Sequence, residues 1–109
     1  MINIDVANFS KTPFGRYSTD SDFSAEQFRE TVLVPALESA EGDSIVVDFS
    51  RVALGVGSSF LEEAFGGLVR RGFDKGLLLD NINVVDRIGI YDKLVKKFIA
   101  QAKLQPVTK

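Results

Sequence analysis

The chain contains neither cysteine nor histidine, and this double absence excludes much chemistry before any motif is read. Without cysteine there are no disulfides, thiolate zinc sites or thiol nucleophiles; without histidine the usual general base and metal ligand are gone. Long apolar runs are lacking too. No segment approaches the roughly 20 apolar residues of a membrane span, and the start MINIDVANF has no basic region leading into an apolar stretch. A formal charge of -2 offers no net basic surface to attract phosphate, which argues against general nucleic-acid binding. The expectation is a soluble, cytoplasmic, non-catalytic protein with no metal and no cofactor.

What is present suits one folded domain: 109 residues, 45% of them apolar, have room for a single core. The domain is expected over residues 1–104, followed by a disordered tail at 105–109. Its organising stretch begins at Ile45-Val46-Val47-Asp48-Phe49, a short β-branched run that reads as a central strand buried on both faces. Gly55 and Gly57 follow in a turn, and Ser59 stands three residues before Glu62, the spacing of a capping box. From there Phe60, Leu61, Ala64, Phe65, Leu68 and Val69 fall on one helical face. Glu62 and Glu63 lie at the helix's positive end, Arg70 and Arg71 at its negative end, and Gly72 is placed to stop it. Gly66-Gly67 costs about 1 kcal/mol per residue relative to Ala, which close contact of helix backbone with a sheet would offset.

Around this stretch, alternation of Ile2, Ile4 and Val6 with polar residues marks a first strand. Turn chemistry at Ser10-Lys11-Thr12-Pro13 then predicts a return strand over 14–19, making a hairpin. Core packing is the expected use of Phe9, Phe14 and Tyr17, and Asp20-Ser21-Asp22 reads as a turn rather than a metal site. Ser24 with Gln27 forms a second capping-box spacing, flanked by Phe23 and Phe28 as a hydrophobic staple. The helix that follows, through Phe28, Leu33 and Leu37, carries Pro35, so a kink is expected near Thr31. Gly76-Leu77-Leu78-Leu79-Asp80, extending to Ile82, reads as a further strand. Ile88 to Ala102 reads as an amphipathic terminal helix starting near Asp86 or Ile90, its lysines forming a solvated face. The order is β-β-α-β-α-β-α: an α/β fold with a mixed four-stranded sheet, strand one antiparallel at its edge, and three helices. Helices confined to one side would leave a sheet face open. With nine phenylalanines and two tyrosines, that predicts a homodimer through this face or through the terminal helix.

At Asp48-Phe49-Ser50-Arg51-Val52 and Gly57-Ser58-Ser59 the chain resembles the STAS domain of anti-sigma factor antagonists. In that family a strand end leads to an Asp-Ser-Ser-Gly turn opening a helix. Here Gly57 stands in the aspartate's place, Phe60 in the glycine's, and one residue is inserted between the motifs. The resemblance puts Ser58 at the family's phosphoacceptor position. A closer similarity is to the STAS-like domain family of unknown function, carried by Gly15-Arg16-Tyr17, Phe28-Arg29-Glu30 and the run from Ser58 to Leu68. The resemblance to anti-sigma factor antagonists implies a bacterial-type regulatory module that meets a protein partner, such as a kinase-like ATPase of the anti-sigma type. The implied surface is the turn and helix start at Gly55, Gly57, Ser58, Ser59 and Glu62. A second reading gives the same Gly-Val-Gly-Ser-Ser turn a small anion or a nucleotide, held by amide groups at the helix N-terminus. Hydrolysis by Ser58 would need Lys75 or Asp48 as base, and nothing in the spacing favours either.

Overall fold

A computed structural model describes residues 1–53 and 55–103; the expected tail at 105–109, and the domain end at Leu104, lie outside them. Three short strands form one parallel sheet in the order β1 (Ile2–Asp5), β2 (Ile45–Asp48), β3 (Ile82–Val85). Register aligns Ile2, Ile45 and Ile82 in one row and Ile4, Val47 and Val84 in another. These rows line the core, Ile45, Val47, Ile82 and Val84 being buried. Rows of Asn3, Val46, Asn83 and of Asp5, Asp48, Val85 turn the other way and keep contact with solvent. Right-handed crossovers that step in one direction across a sheet put their helices on one face, which accounts for the alternation. β2 is therefore central, as expected, but covered on one face only.

Each crossover contains one long helix with a wide turn in it. The first helix, α2, comprises Ala25–Phe28, a π-helical turn over Arg29–Leu33, and Val34–Ala40; a single turn, α1 (Val6–Phe9), precedes it. Ser24 caps α2 as its spacing predicts, its hydroxyl accepting the Gln27 N–H at 3.2 Å. Phe9 stands between the two staple residues, edge-on to Phe23 at 5.6 Å and to Phe28 at 5.3 Å. The expected break near Thr31 is the π turn, in which the Val34 N–H reaches back to Arg29 O. Pro35 has no N–H with which to continue the ladder there.

The second helix, α3, comprises Ser58–Leu61, a π-helical turn over Glu62–Gly66, and Gly67–Arg71. It ends at Gly72 in the left-handed region (φ 112°), with Phe73 N–H bonded back to Leu68 O at 3.0 Å. A short helix, α4 (Lys75–Asn81), leads into β3, and α5 (Tyr91–Gln101) closes the fold. Asp86 Oδ1 accepts the Tyr91 N–H at 3.1 Å, holding the start of α5. Two α5 side chains also satisfy the outer edge of β3: Asp92 accepts the Val84 N–H at 2.9 Å and Lys96 donates to Ile82 O at 3.1 Å. No further strand is offered an open ladder on that side. Among the described residues no helix is long and apolar enough to cross a membrane.

Two further sequence expectations fail for identifiable reasons. Residues 14–19 form no strand, so the antiparallel hairpin and the fourth strand are absent. Asp5 accepts the Ala7 N–H and coils the chain into α1, while the partner edge of β1 is taken by β2. Gly15 and Arg16 spend their carbonyls on Ala25 and Glu26 N–H groups at the start of α2. Asp20 Oδ2 meanwhile accepts the Arg16 and Tyr17 N–H groups, giving that acidic stretch its turn role. Phe14 and Tyr17 consequently sit half or more exposed rather than in the core. The second failure is the strand expected from Gly76. Asp74 caps Leu77 N–H at 2.9 Å and starts α4, and the strand falls instead on Ile82-Asn83-Val84-Val85, whose alternation matches its burial.

Phe65 is wholly buried beneath the sheet, among a cluster that includes Val47, Phe60, Ala64 and Leu68. Phe65→Ala is expected to lower stability by about 3–5 kcal/mol. A reversible urea titration that shows a loss below about 1 kcal/mol would remove Phe65 from the core.

Candidate functional site

In an open parallel sheet the loops at the carboxyl ends of the strands are where ligands and partners gather, and each strand here ends on aspartate or runs into one. Asp5 holds Ala7 N–H, Asp48 holds Ser50 N–H at 2.8 Å, and Asp86 holds the Ile88 and Tyr91 N–H groups. Hydrogen bonds from the Ser50 side chain and N–H keep the Asp48 carboxyl below its ordinary pKa. All three carboxylates are thus committed to turning the chain. Arg51 adds an ion pair to Asp5 at 2.9 Å.

The loop after β2 and the loop after β3 are fastened together. Arg87 donates from Nε to Ser50 O at 2.6 Å and from Nη2 to Val52 O at 2.9 Å. The Tyr91 hydroxyl accepts the Val56 N–H at 3.0 Å, and a Cβ on Gly55 would come within 3.2 Å of that oxygen. Between these clamps lies a cavity of about 270 Å³. Buried Phe49 and Val52 and half-buried Val56 and Tyr91 give it an apolar lining, while Gly55, Arg87 and Ile88 stand at its exposed side.

Gly55, Gly57, Ser58 and Ser59 are all exposed, and Gly55 borders this cavity. The local structure differs from the capping-box reading. Gly57, in extended conformation, is the cap of α3, and its carbonyl accepts the Phe60 and Leu61 N–H groups. Ser58 and Ser59 are the first two residues of the helix, and among the described residues neither hydroxyl makes a capping bond. Glu62 does not reach back to the cap because arginines hold it: Arg16 donates to its Oε1 at 2.7 Å and Arg70 to its Oε2 at 2.7 Å. It therefore leaves the predicted surface and joins a different cluster.

That cluster was not anticipated. Arg29, nearly buried, donates from Nη1 to both Glu63 Oε2 and Glu63 O at 2.8 Å, and from Nε to Glu30 at 2.9 Å. Arg16 also reaches Glu63, and Arg71 reaches Glu30. The glycine pair of α3 serves this network rather than the sheet. A Cβ on Gly67 would overlap the Arg29 guanidinium, and one on Gly66 would lie 2.8 Å from Glu62 Oε2. Glu62 and Glu63 are accordingly ion-paired groups in a helix junction, not merely complements of the α3 dipole. The sequence signal was there in Phe28-Arg29-Glu30 and Glu62-Glu63, but no spacing rule pairs charges on two helices. Asp86, Arg87, Ile88 and Tyr91 were likewise missed as site residues, since they join the turn only through the sheet.

Gly67→Ala is expected to destabilise the protein although alanine is the better helix former by about 1 kcal/mol. In an Arg29→Ala background the same change should stabilise it relative to Arg29→Ala alone. Equal effects in both backgrounds, read from denaturant titrations, would detach the glycine from the arginine.

Hydrogen bonding from Arg70, then Arg16, outweighs burial and lowers the Glu62 pKa; Arg71, then Arg29, do the same for Glu30. The unfolded chain therefore takes up protons first on acidification. The stability these groups add is whole above about pH 4.5 and is lost as pH falls through their folded values. The urea midpoint should drop from pH 5 to pH 3, and drop less steeply in Glu62→Gln. An identical slope in the variant would exclude Glu62 as a contributor.

A family model described as a STAS-like domain of unknown function matches residues 24–86. The match runs from the cap of α2 to Asp86 and so covers α2, β2, the 55–59 turn, α3, α4 and β3. No curated protein and no solved structure matches the chain.

Proposed function

Because the chain belongs to the family of STAS-like domains of unknown function, we propose that it is a non-catalytic regulatory module. It docks a protein partner, of the kinase-like ATPase class, on the turn and helix start at Gly55, Gly57, Ser58 and Ser59. The observation that carries this reading is the burial of α3. From Phe60 to Val69 every residue but Glu62 is buried, whereas Gly57, Ser58 and Ser59 are exposed. The first turn is thus the part of α3 presented to a partner, and it stands on a helix fixed along its length by the core and by the arginine cluster. Docking there requires little reordering of backbone, which keeps the entropic cost of association low.

Ser58 is the residue through which such a contact would be regulated. It sits at the first helical position, where negative charge is favourable beside the helix's positive end. Ser58→Asp is therefore expected to leave the melting temperature nearly unchanged while abolishing capture of the ATPase partner in a pull-down performed with and without ATP. If Ser58→Asp unfolds the domain, or binds the recovered partner as wild type does, the turn is a packing feature and the docking role falls.

A further inference from the structure

The two edges of the sheet are finished differently. At β3 the outward ladder groups are taken by α5 side chains, Asp92 accepting the Val84 N–H and Lys96 donating to Ile82 O. β1 is the other edge. Successive residues of a strand direct their N–H and C=O groups to alternate sides, and the Ile2 N–H is bonded to the O of Ser44, the residue before β2, at 2.9 Å. Ile2 and Ile4 therefore face β2, while Asn3 N–H, Asn3 O and Asp5 N–H face away from it. Among the described residues nothing bonds to these three groups, and Asn3 is exposed. The apolar rows are unfinished on the same side. Ile45 and Ile82 are buried in one row and Val47 and Val84 in the other, yet Ile2 and Ile4, at the β1 end of each row, stay partly exposed.

We infer that β1 takes up an extended peptide segment of a partner protein as a fourth strand of the sheet. Unspent N–H and C=O groups at strand spacing are matched by extended backbone and not by a helix, whose own groups are bonded internally. The pleat then sets the sequence of that segment. Its residue opposite Asn3 turns with Asn3 to the open, solvated face, and the residues on either side of it lie beside Ile2 and Ile4, where they complete the two apolar rows. The segment is thus a polar residue between two branched apolar ones. No charge is called for, because the Asp5 carboxylate is already held by Ala7 N–H and Arg51. Residues 14–19 of the chain itself do not fill the place, since Gly15 and Arg16 are bonded to the start of α2. A second copy paired through the four residues of β1 would bury far less than the roughly 1,200–2,000 Å² of a stable interface, whereas a peptide segment has only its own few residues to order. The edge belongs to β1 and the docking turn follows β2, so the inference stands apart from the docking reading.

The experiment is an NMR titration of the isotope-labelled full chain with the peptide acetyl-Thr-Val-Thr-Val-Thr-amide, and with acetyl-Thr-Thr-Val-Val-Thr-amide, which has the same composition without the alternation. In the free chain the Asn3 and Asp5 amides should exchange rapidly with solvent and the Ile4 amide slowly. Millimolar alternating peptide should move the Asn3 and Asp5 resonances and slow their exchange, and the shuffled peptide should bind about tenfold more weakly. Asn3→Pro removes the outward N–H, a loss that an edge strand tolerates, and should weaken binding by about tenfold with the melting temperature nearly retained. Asn3→Thr, which keeps the N–H, should bind as wild type does. Slow exchange of Asn3 and Asp5 in the free chain overturns the inference, as do resonances that neither peptide moves, equal binding of the two peptides, or an Asn3→Pro chain that binds normally. An Asn3→Pro chain that fails to fold places the N–H inside the ladder and overturns it too. Exchange at Asn3 that slows only as the free protein is concentrated gives the edge to a second copy instead.

Discussion

The buried pair of Arg29 and Glu63 is the interaction on which the helical layer depends. Removing two charges from water costs several kcal/mol per ion unless hydrogen bonds replace the lost solvent. Here the guanidinium finds Glu63 Oε2, Glu63 O and Glu30, and among the described residues no buried side-chain nitrogen or oxygen is left without a partner. Satisfying that requirement sets the close approach of α2 to α3. The approach in turn needs glycine at position 67, and π turns lie in both helices beside the contact. Arg16 extends the same network to the loop between α1 and α2, tying it to the core although it contains no regular structure.

This constraint has a functional consequence at the other end of α3. A helix held along its length by phenylalanines beneath and arginines beside it presents its first turn in a fixed position. Arg87 and Tyr91 tie Ser50, Val52 and Val56 of the loop after β2 to the segment after β3. The strand-end surface thus carries a recess of about 270 Å³, and its exposed groups among the described residues include Ser58, Ser59, Gly55, Gly57, Ile88, Arg51 and Arg87.

The sheet shows how a small α/β domain limits its own exposure. With only three strands it has two edges and one uncovered face. α5 protects the β3 edge through Asp92 and Lys96, which are themselves paired at 2.8 Å. The uncovered face carries asparagines and aspartates between its two valines, so water covers it adequately. Apolar exposure in the loops lies around Phe14, Tyr17 and Phe23 and at Ile88 and Ile90.

Local rules placed what depends on neighbours in sequence. Ile45 to Asp48 is the central strand, Ser24 caps α2, Pro35 disturbs its ladder, Gly72 stops α3 and the terminal helix runs where its apolar spacing puts it. The exposed residues Gly55, Gly57, Ser58 and Ser59 were legible for the same reason, because a glycine-bearing turn before an apolar helix tends to lie at a surface. What failed, or was not seen, depended on partners distant in the chain. Turn chemistry at Ser10 to Pro13 cannot reveal that β2 will occupy the edge of β1. The apolar run from Gly76 to Leu79 satisfies strand and helix alike until Asp74 caps it. Serine at Ser59 is a good cap in isolation, yet Gly57 takes that place while Arg16 and Arg70, 46 and 8 residues away, draw Glu62 aside. The glycine pair and the recess beside Ile88 were decided only by tertiary structure. Each is defined by a space between elements, and a space between elements has no period in the sequence.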